Sequence, residues 1–207
     1  MKAADYAAVS PREVRQMIRE GKWDKPTPGM CSGHVQGNLV ILPKDLAYDF
    51  LVFAQRNPKP CPILDVTEPG DPEPKIVAPG ADLTTDLPRY RVWVDGTVID
   101  EPTDVKKYWR DDLVGFLLGC SFSFEGALLD AGIPVRHIEQ NRNVPMYVTV
   151  CQCPRRGLSR PGGGWRAPHP PPTAHCPGGP LHRAVPGGPR GSPSISATPP
   201  RSASPTS

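Results

Sequence analysis

The composition of the chain changes sharply after residue 150, and this change limits where a hydrophobic core can form. Residues 151–207 contain 14 Pro, 9 Gly and 7 Arg but no Lys, Asp, Glu, Asn, Phe, Tyr or Met. A segment with so few large apolar side chains buries too little surface to offset its conformational entropy. The sequence therefore predicts an ordered domain at residues 1–149 and a disordered Pro/Gly/Arg-rich tail at residues 150–207.

Charge is also divided unevenly between these two parts. The tail has seven Arg and no acidic residue, so the preceding 150 residues hold 17 Lys and Arg against 21 Asp and Glu, although the whole chain has a formal net charge of +3. A domain with net negative charge gives no electrostatic reason to expect nucleic acid or membrane partners. The tail lacks RGG and Arg-Ser repeats, and Trp165 is its single aromatic residue, so we expect no nucleic-acid function from it.

The distribution of apolar residues and cysteines indicates a cytoplasmic protein. The N-terminus lacks the apolar run of a signal peptide, and no segment approaches the length of a membrane span. The cysteines lack the spacing of a secreted disulfide framework; they lie at positions 31, 61, 120, 151, 153 and 176. Nor does the set Cys151, Cys153, His169, His175 and Cys176 fit a common zinc module, so we expect no metal site.

Local patterns predict helices and strands in mixed order along the first 150 residues. The predicted helices run from Pro11 to Gly21, from Pro43 to Asn57, over 111–118 and over 125–132. The predicted strands are 62–67, 76–78, 135–138 and 146–150, together with a hairpin, 89–94 and 97–100, turning at Asp95-Gly96. Because these elements do not alternate strictly as βαβ units, the expected fold is an α/β or mixed α+β sandwich.

The run from Gly119 to Glu125 is the strongest candidate for a site, because it places a thiol, two hydroxyls and a carboxylate between two apolar segments. Ser121 or Ser123 would be the N-cap of the helix that follows. A helix N-terminus offers unpaired N–H groups and a partial positive charge to a small carboxylate. The alternative is that the hydroxyls only cap, that Glu125 only stabilises the helix dipole, and that Cys120 is a small buried apolar residue.

Several motifs resemble the D-glutamate cyclase family of bacterial hydro-lyases. They include Asn-Leu-Val-Ile-Leu-Pro at 38–43, 55–62, 66–72, 79–83, Thr-Asp-Leu-Pro-Arg-Tyr at 85–90, 119–125, 133–138 and 143–147. The resemblance runs in order over about residues 5–149 and ends at Thr149, where family members continue into a further α/β region. We therefore expect a truncated domain and hypothesise a frameshift near codon 150. Translation of the nucleotides in the other two frames tests this hypothesis. If neither frame restores a family-like continuation, the hypothesis fails.

The resemblance implies cyclisation of D-glutamate to 5-oxo-D-proline and water, with a small amino or carboxylic acid as the partner. This reaction needs an acid, a base and anchors for the substrate carboxylates. It needs no ATP or nicotinamide, and because the sequence contains neither a P-loop nor a GxGxxG motif, we expect no cofactor. The candidate catalytic residues are Glu125, Cys120 and Ser121, and the candidate substrate-binding residues are Ser123, Asn38, Arg136, His137, Arg142 and Asn143.

Each remaining candidate has a structural alternative. His137 alternates with apolar neighbours in a predicted strand and would then be half-exposed, whereas Arg142 and Asn143 fit a turn before Pro145. Asn38 would end a loop. Three functions remain open: a hydro-lyase that is inactive as this chain, a non-catalytic binder of small carboxylates, and an inactive product of a damaged gene.

Overall fold

The computed structural model describes residues 3–140 and 194–197, which form one antiparallel sheet and four helices, one of them packed on the sheet. The strands are β1 (Gly37–Pro43), β2 (Ile63–Val66), β3 (Arg91–Val94), β4 (Thr97–Asp100), β5 (Leu113–Gly119) and β6 (Ser194–Ala197), in the order β2-β5-β1-β6-β3-β4. The helices are α1 (Pro11–Arg19), α2 (Lys44–Arg56), α3 (Phe122–Asp130) and α4 (Arg136–Glu139), and two 3₁₀ turns cover Ala3–Tyr6 and Lys106–Tyr108. The expected mixed α/β class is confirmed.

Helices α1 and α2 form as the sequence predicts. Ser10 and Glu13 make a reciprocal capping box at the start of α1, with Pro11 in the first helical position, and Gly21 follows the helix with a φ of 68°. Pro43 precedes α2, which buries Phe50, Phe53 and Ala54 against the sheet, as its apolar stripe predicts. Both helix predictions are therefore confirmed. These helices could be predicted because their end signals and apolar faces lie close together in sequence.

The helix predicted at 111–118 is wrong, because this segment is strand β5. It pairs with β1 from Gly37↔Gly119 to Pro43↔Leu113, and with β2 on its other side. A short apolar run that is buried on both faces has no period that separates a helix from a strand. The packing around this strand needs a glycine at position 115, because a Cβ atom there would lie 2.7 Å from Leu83 Cδ1. The strand therefore lies between β2 and β1, and its C-terminal end lies beside the start of β1.

The hairpin of β3 and β4 is confirmed. Its turn places Asp95 at a φ of 48° and Gly96 at a φ of 76°, the conformation that a two-residue turn of this type requires. Strand β2 confirms the prediction at 62–67. By contrast, residues 76–78 form no strand, because the N–H groups of Ile76 and Val77 donate to the buried carboxylate of Asp65 at 2.8 and 3.1 Å.

The strand predicted at 135–138 is also wrong, because residues 136–139 form the single-turn helix α4. The alternation of Val135, His137 and Ile138 therefore does not mark a strand face. Instead, the helical turn places His137 inside the protein and leaves Ile138 exposed. The strand predicted at 146–150 lies outside the described residues.

Four residues of the predicted disordered tail, Ser194–Ala197, form strand β6. This strand pairs with β1 at Leu39–Ile41 and with β3 at Arg91–Trp93. The segment contains neither Pro nor Gly, so all its backbone N–H groups are available for the ladder. The rest of the tail lies outside the described residues.

A buried carboxylate connects α1 to the turn that follows residue 81. Asp86 accepts hydrogen bonds from the Arg19 guanidinium, from the Asp82 N–H at 2.9 Å and from the Thr85 hydroxyl at 3.0 Å. Arg15 lies 3.5 Å away on the same helix. The carboxylate of Asp82 caps the turn by accepting from the N–H and the hydroxyl of Thr84.

Candidate functional site

The Gly119–Glu125 run lies where β5 ends and α3 begins, next to the first residues of β1. Gly119 pairs with Gly37, which brings Asn38 of β1 beside the turn. A Cβ atom at Gly119 would lie 3.2 Å from Pro62 Cγ, so a larger residue would separate the turn from the chain entering β2. The antiparallel pairing of β1 and β5 thus brings together candidate residues that are more than eighty positions apart in sequence.

Glu125 is the centre of a buried polar cluster. The Ser121 hydroxyl donates to Glu125 Oε1 at 3.1 Å, and His137 Nε2 lies 3.3 Å from Glu125 Oε2. The three residues are only 8%, 7% and 7% exposed, in the order Ser121, Glu125 and His137. The expectation that His137 is half-exposed is therefore wrong. A carboxylate between a hydroxyl and an imidazole has the groups needed to accept and pass on a proton.

Ser121 has a role that differs from simple capping. It occupies the N-cap position of α3, but it has a helical φ of −59° and ψ of −24°, and its side chain makes no capping hydrogen bond. Its hydroxyl instead donates one turn ahead to Glu125. The alternative in which this hydroxyl only caps the helix is therefore wrong for Ser121.

Cys120 is a protonated thiol at neutral pH. Burial raises the pKa of the Cys120 thiol above its usual value, and the negative charge of Glu125 raises it further. Hydrogen bonds from the Phe122 N–H and from the Asn38 side chain act in the opposite direction without cancelling the shift. The environment therefore suits a proton donor better than a thiolate nucleophile.

The Ser123 hydroxyl connects the turn to residue 36. It accepts from the Gln36 N–H at 2.9 Å and donates to the Gln36 carbonyl at 3.2 Å. The same carbonyl accepts from the Cys120 N–H at 3.0 Å. Gln36 is not among the residues predicted from the sequence, although it lies two residues before Asn38, at the entry to an apolar strand.

The remaining candidates are not brought into this cluster by the described contacts. Arg136 is exposed on α4, and within residues 3–140 and 194–197 no ion pair holds its guanidinium. Arg142 and Asn143 lie outside the described residues. The geometry thus unites Ser121, Glu125 and His137, and it places Cys120 against Asn38.

The described part of the chain contains no cluster suited to a metal ion and no membrane-spanning helix. Within it, no group of three or more His, Cys, Asp or Glu residues is arranged to hold a metal ion. No helix in the same residues is long and apolar enough to cross a membrane. The cysteine and histidine residues between 151 and 176 lie outside these ranges.

Comparison with known proteins confirms the predicted resemblance. The sequence profile of the D-glutamate cyclase family matches residues 114–160. A protein of Geobacillus kaustophilus named "Putative hydro-lyase" is 60% identical over 151 residues, which are 73% of this chain and 57% of that protein. Proteins of the same name from Psychrobacter arcticus and Clostridium beijerinckii are 62% and 57% identical over 70% and 74% of this chain, and over 55% and 59% of their own lengths.

The chain spans less than three fifths of the length of these relatives. The family profile begins within β5, includes the whole polar cluster and ends at residue 160, past the boundary expected at Thr149. The division into an ordered domain and a tail at that boundary stays a prediction. The candidate cluster, in contrast, lies wholly within the part of the chain that matches the family.

Proposed function

We propose that this chain carries part of a hydro-lyase site that takes a small amino dicarboxylic acid, with D-glutamate converted to 5-oxo-D-proline and water. The observation that carries the proposal is the buried contact of Glu125 with both the Ser121 hydroxyl and His137 Nε2. Similarity to the D-glutamate cyclase family supports the substrate class. We also propose a cytoplasmic location, because the six cysteines lack the spacing of a secreted disulfide framework.

In this proposal the polar cluster supplies both an acid and a base. The substrate amine attacks the side-chain carboxyl carbon, and Glu125 accepts the proton that the amine loses. Ser121 and His137 hold the Glu125 carboxylate in place from its two oxygens. The protonated side-chain carboxyl of the substrate loses its hydroxyl, to which the Cys120 thiol donates a proton, so that water leaves and a five-membered lactam remains. The proton held by Glu125 then returns to the Cys120 thiolate.

Binding of the substrate is assigned to the surroundings of this cluster. The partial positive charge at the N-terminus of α3 is proposed to attract one carboxylate. Asn38 and Ser123 provide neutral polar groups beside Cys120, and Arg136, with Arg142 and Asn143, is proposed to hold the second carboxylate. The proposed site uses no cofactor and no metal, since positioning and proton transfer suffice for this condensation.

We further propose that the 207 residues alone do not turn over substrate. They span 55 to 59% of the relatives compared above, and a substrate site needs walls from more than one segment. A chain that supplies only part of the site would still bind a small carboxylate weakly. A non-catalytic binder of small carboxylates is therefore the second candidate function. It is supported by the same observation, that the chain spans only 55 to 59% of the length of these relatives.

The decisive assay compares two proteins. One is the chain as it stands, and the other is a hybrid in which residues 141–207 are replaced by the corresponding region of the Geobacillus relative. We expect 5-oxoproline from D-glutamate with the hybrid only, L-glutamate serving as the control for chirality. Ligand-dependent thermal stabilisation of the 207-residue chain distinguishes a binder from an inactive product. Robust turnover by the chain itself would overturn the view that its site is incomplete.

Glu125→Gln in the hybrid tests the assigned base. The substitution keeps the volume and an oxygen for Ser121 but removes the proton acceptor, so kcat should fall at least about tenfold. Glu139→Gln on exposed α4 is the matched control and should leave kcat unchanged. If the two variants have the same kcat per folded molecule, Glu125 has only a structural role.

A further inference from the structure

Gln36 makes contacts in two directions at once. Its backbone carbonyl and N–H bind the Cys120 N–H and the Ser123 hydroxyl, as described above. Its side chain points to the preceding loop, where Oε1 accepts from the Thr27 hydroxyl at 3.0 Å and Nε2 donates to the Met30 carbonyl at 3.1 Å. A single residue thus joins the N-terminal turn of α3 to the loop over 27–30.

The 27–30 loop is itself held on the opposite side. Met30 and Cys31 are buried with Val14, Ile18 and Trp23, in the small core beneath α1. Cys31 adopts a φ of 51°, which a residue with a side chain takes only when its surroundings hold it there. The loop is therefore packed between α1 and Gln36, adjacent to the turn that carries the candidate site.

We propose that Gln36 is a positioning residue that fixes the Thr27–Met30 loop against the Cys120–Ser123 turn, so that the loop forms a wall of the substrate site. This inference rests on the proposed function, because that function makes the turn a substrate site. Only an amide meets both demands on this side chain, since the Thr27 hydroxyl needs an acceptor and the Met30 carbonyl needs a donor. A carboxylate would place a second oxygen against the Met30 carbonyl.

Three buried or half-buried thiols allow a test in the full 207-residue chain without any turnover. Cys31 reports on the loop, Cys120 reports on the turn, and Cys61 lies under α2 in a separate core cluster. Alkylation by iodoacetamide at fixed pH, followed by peptide mapping, gives a separate rate for each thiol. Because alkylation of a buried thiol follows local opening, each rate measures the stability of its own surroundings.

Thr27→Val removes one hydrogen bond without a change of shape, and Gln36→Leu removes both side-chain bonds. We expect Thr27→Val to speed alkylation of Cys31 and Cys120 about threefold to tenfold, with a larger effect for Gln36→Leu and an intermediate one for Gln36→Glu. The rate at Cys61 should not change. Unchanged rates at Cys31 and Cys120 would overturn the proposal, as would equal acceleration at all three thiols, which indicates general destabilisation.

A second arm separates this inference from the proposed function. D-glutamate should slow alkylation of Cys120 in the unsubstituted chain, and Thr27→Val should weaken that protection at least about threefold. If D-glutamate gives no protection while the two thiols still respond to Thr27→Val, the assignment of a substrate site fails and the structural connection through Gln36 stands. If protection is present and Thr27→Val leaves it unchanged, the loop is not a wall of the site.

Discussion

Replacing Gly115 by Ala distinguishes the observed strand β5 from the helix that the sequence favours. In the structure, the added methyl would lie 2.7 Å from Leu83 Cδ1 and 3.4 Å from the Thr67 side chain. Leu83 is buried in the core cluster on this side of the sheet, so it has little room to move. In an exposed or loosely packed helix, the same substitution would be favourable.

The expected magnitude follows from two opposing effects. Overpacking a close-packed core costs about 1 to 3 kcal/mol, whereas loss of glycine freedom in the unfolded chain returns about 0.4 to 1 kcal/mol. With both effects at the middle of their ranges, Gly115→Ala should lower the free energy of unfolding by about 1.3 kcal/mol. A helix at 111–118 predicts the opposite sign, a gain of about 1 kcal/mol.

Gly126→Ala is the matched control, because it makes the same chemical change inside α3. A Cβ atom at Gly126 would have nothing within 4 Å, so this variant should gain about 0.5 to 1 kcal/mol. Urea unfolding followed by tryptophan fluorescence measures both variants against the parent chain. A Gly115→Ala protein as stable as Gly126→Ala would refute the placement of Leu83 and Thr67 against β5.

Three further predictions concern buried polar groups. Asp86→Asn should lower the free energy of unfolding by about 2 kcal/mol in urea titrations, because it leaves Arg19 and the Asp82 N–H facing an amide, while exposed Asp45→Asn should be nearly neutral. Burial raises the pKa of the Tyr90 phenol, so this group does not affect the free energy of unfolding below about pH 9 but lowers it above about pH 10, where the phenol of the unfolded chain ionises. Between about pH 9 and 11, the Tyr90→Phe protein should therefore lose less stability than the parent chain. Glu125→Gln should speed alkylation of Cys120 at pH 8 about threefold or more, since it removes a charge that raises the thiol pKa; an unchanged rate would contradict the proximity of these groups.

The sequence predicted those parts of the fold whose signals are local. The Ser10-Pro11 start of α1, the Asp95-Gly96 turn and the apolar face of α2 each lie within one element, and the elements predicted from them are confirmed. Similarly, the candidate residues from Cys120 to Glu125 are neighbours in sequence. Their proximity in the fold therefore needed no knowledge of strand pairing.

The errors arose where tertiary contacts decide the structure. The 111–118 segment becomes a strand because β1 and β2 pair with it on both sides, and a single segment carries no record of its partners. The pairing of His137 with Glu125 depends on a one-turn helix that follows Pro134, and the apolar neighbours of His137 gave a misleading period. Gln36 was missed for the same reason, since its partners at Thr27 and Ser123 lie in different elements.

The apolar surface of α3 and of the residues before α4 gives a last test of how the site is completed. Glu125 is the buried residue of α3, while Leu129 and Ile133 remain 45% and 50% exposed in the described structure. The relatives continue well beyond the length of this chain, and covering about half of a leucine side chain is worth about 1 to 1.5 kcal/mol. Leu129→Asp should therefore destabilise the 207-residue chain by about 1 to 2 kcal/mol, through loss of the half of the side chain that is already covered. It should destabilise the hybrid with the Geobacillus region by about 2 kcal/mol more, because the other half would be lost and a carboxylate would be buried as well. Urea unfolding of the four proteins measures the difference. Equal effects in the two backgrounds would mean that the added region packs elsewhere, and the second wall of the site would have to be sought away from α3.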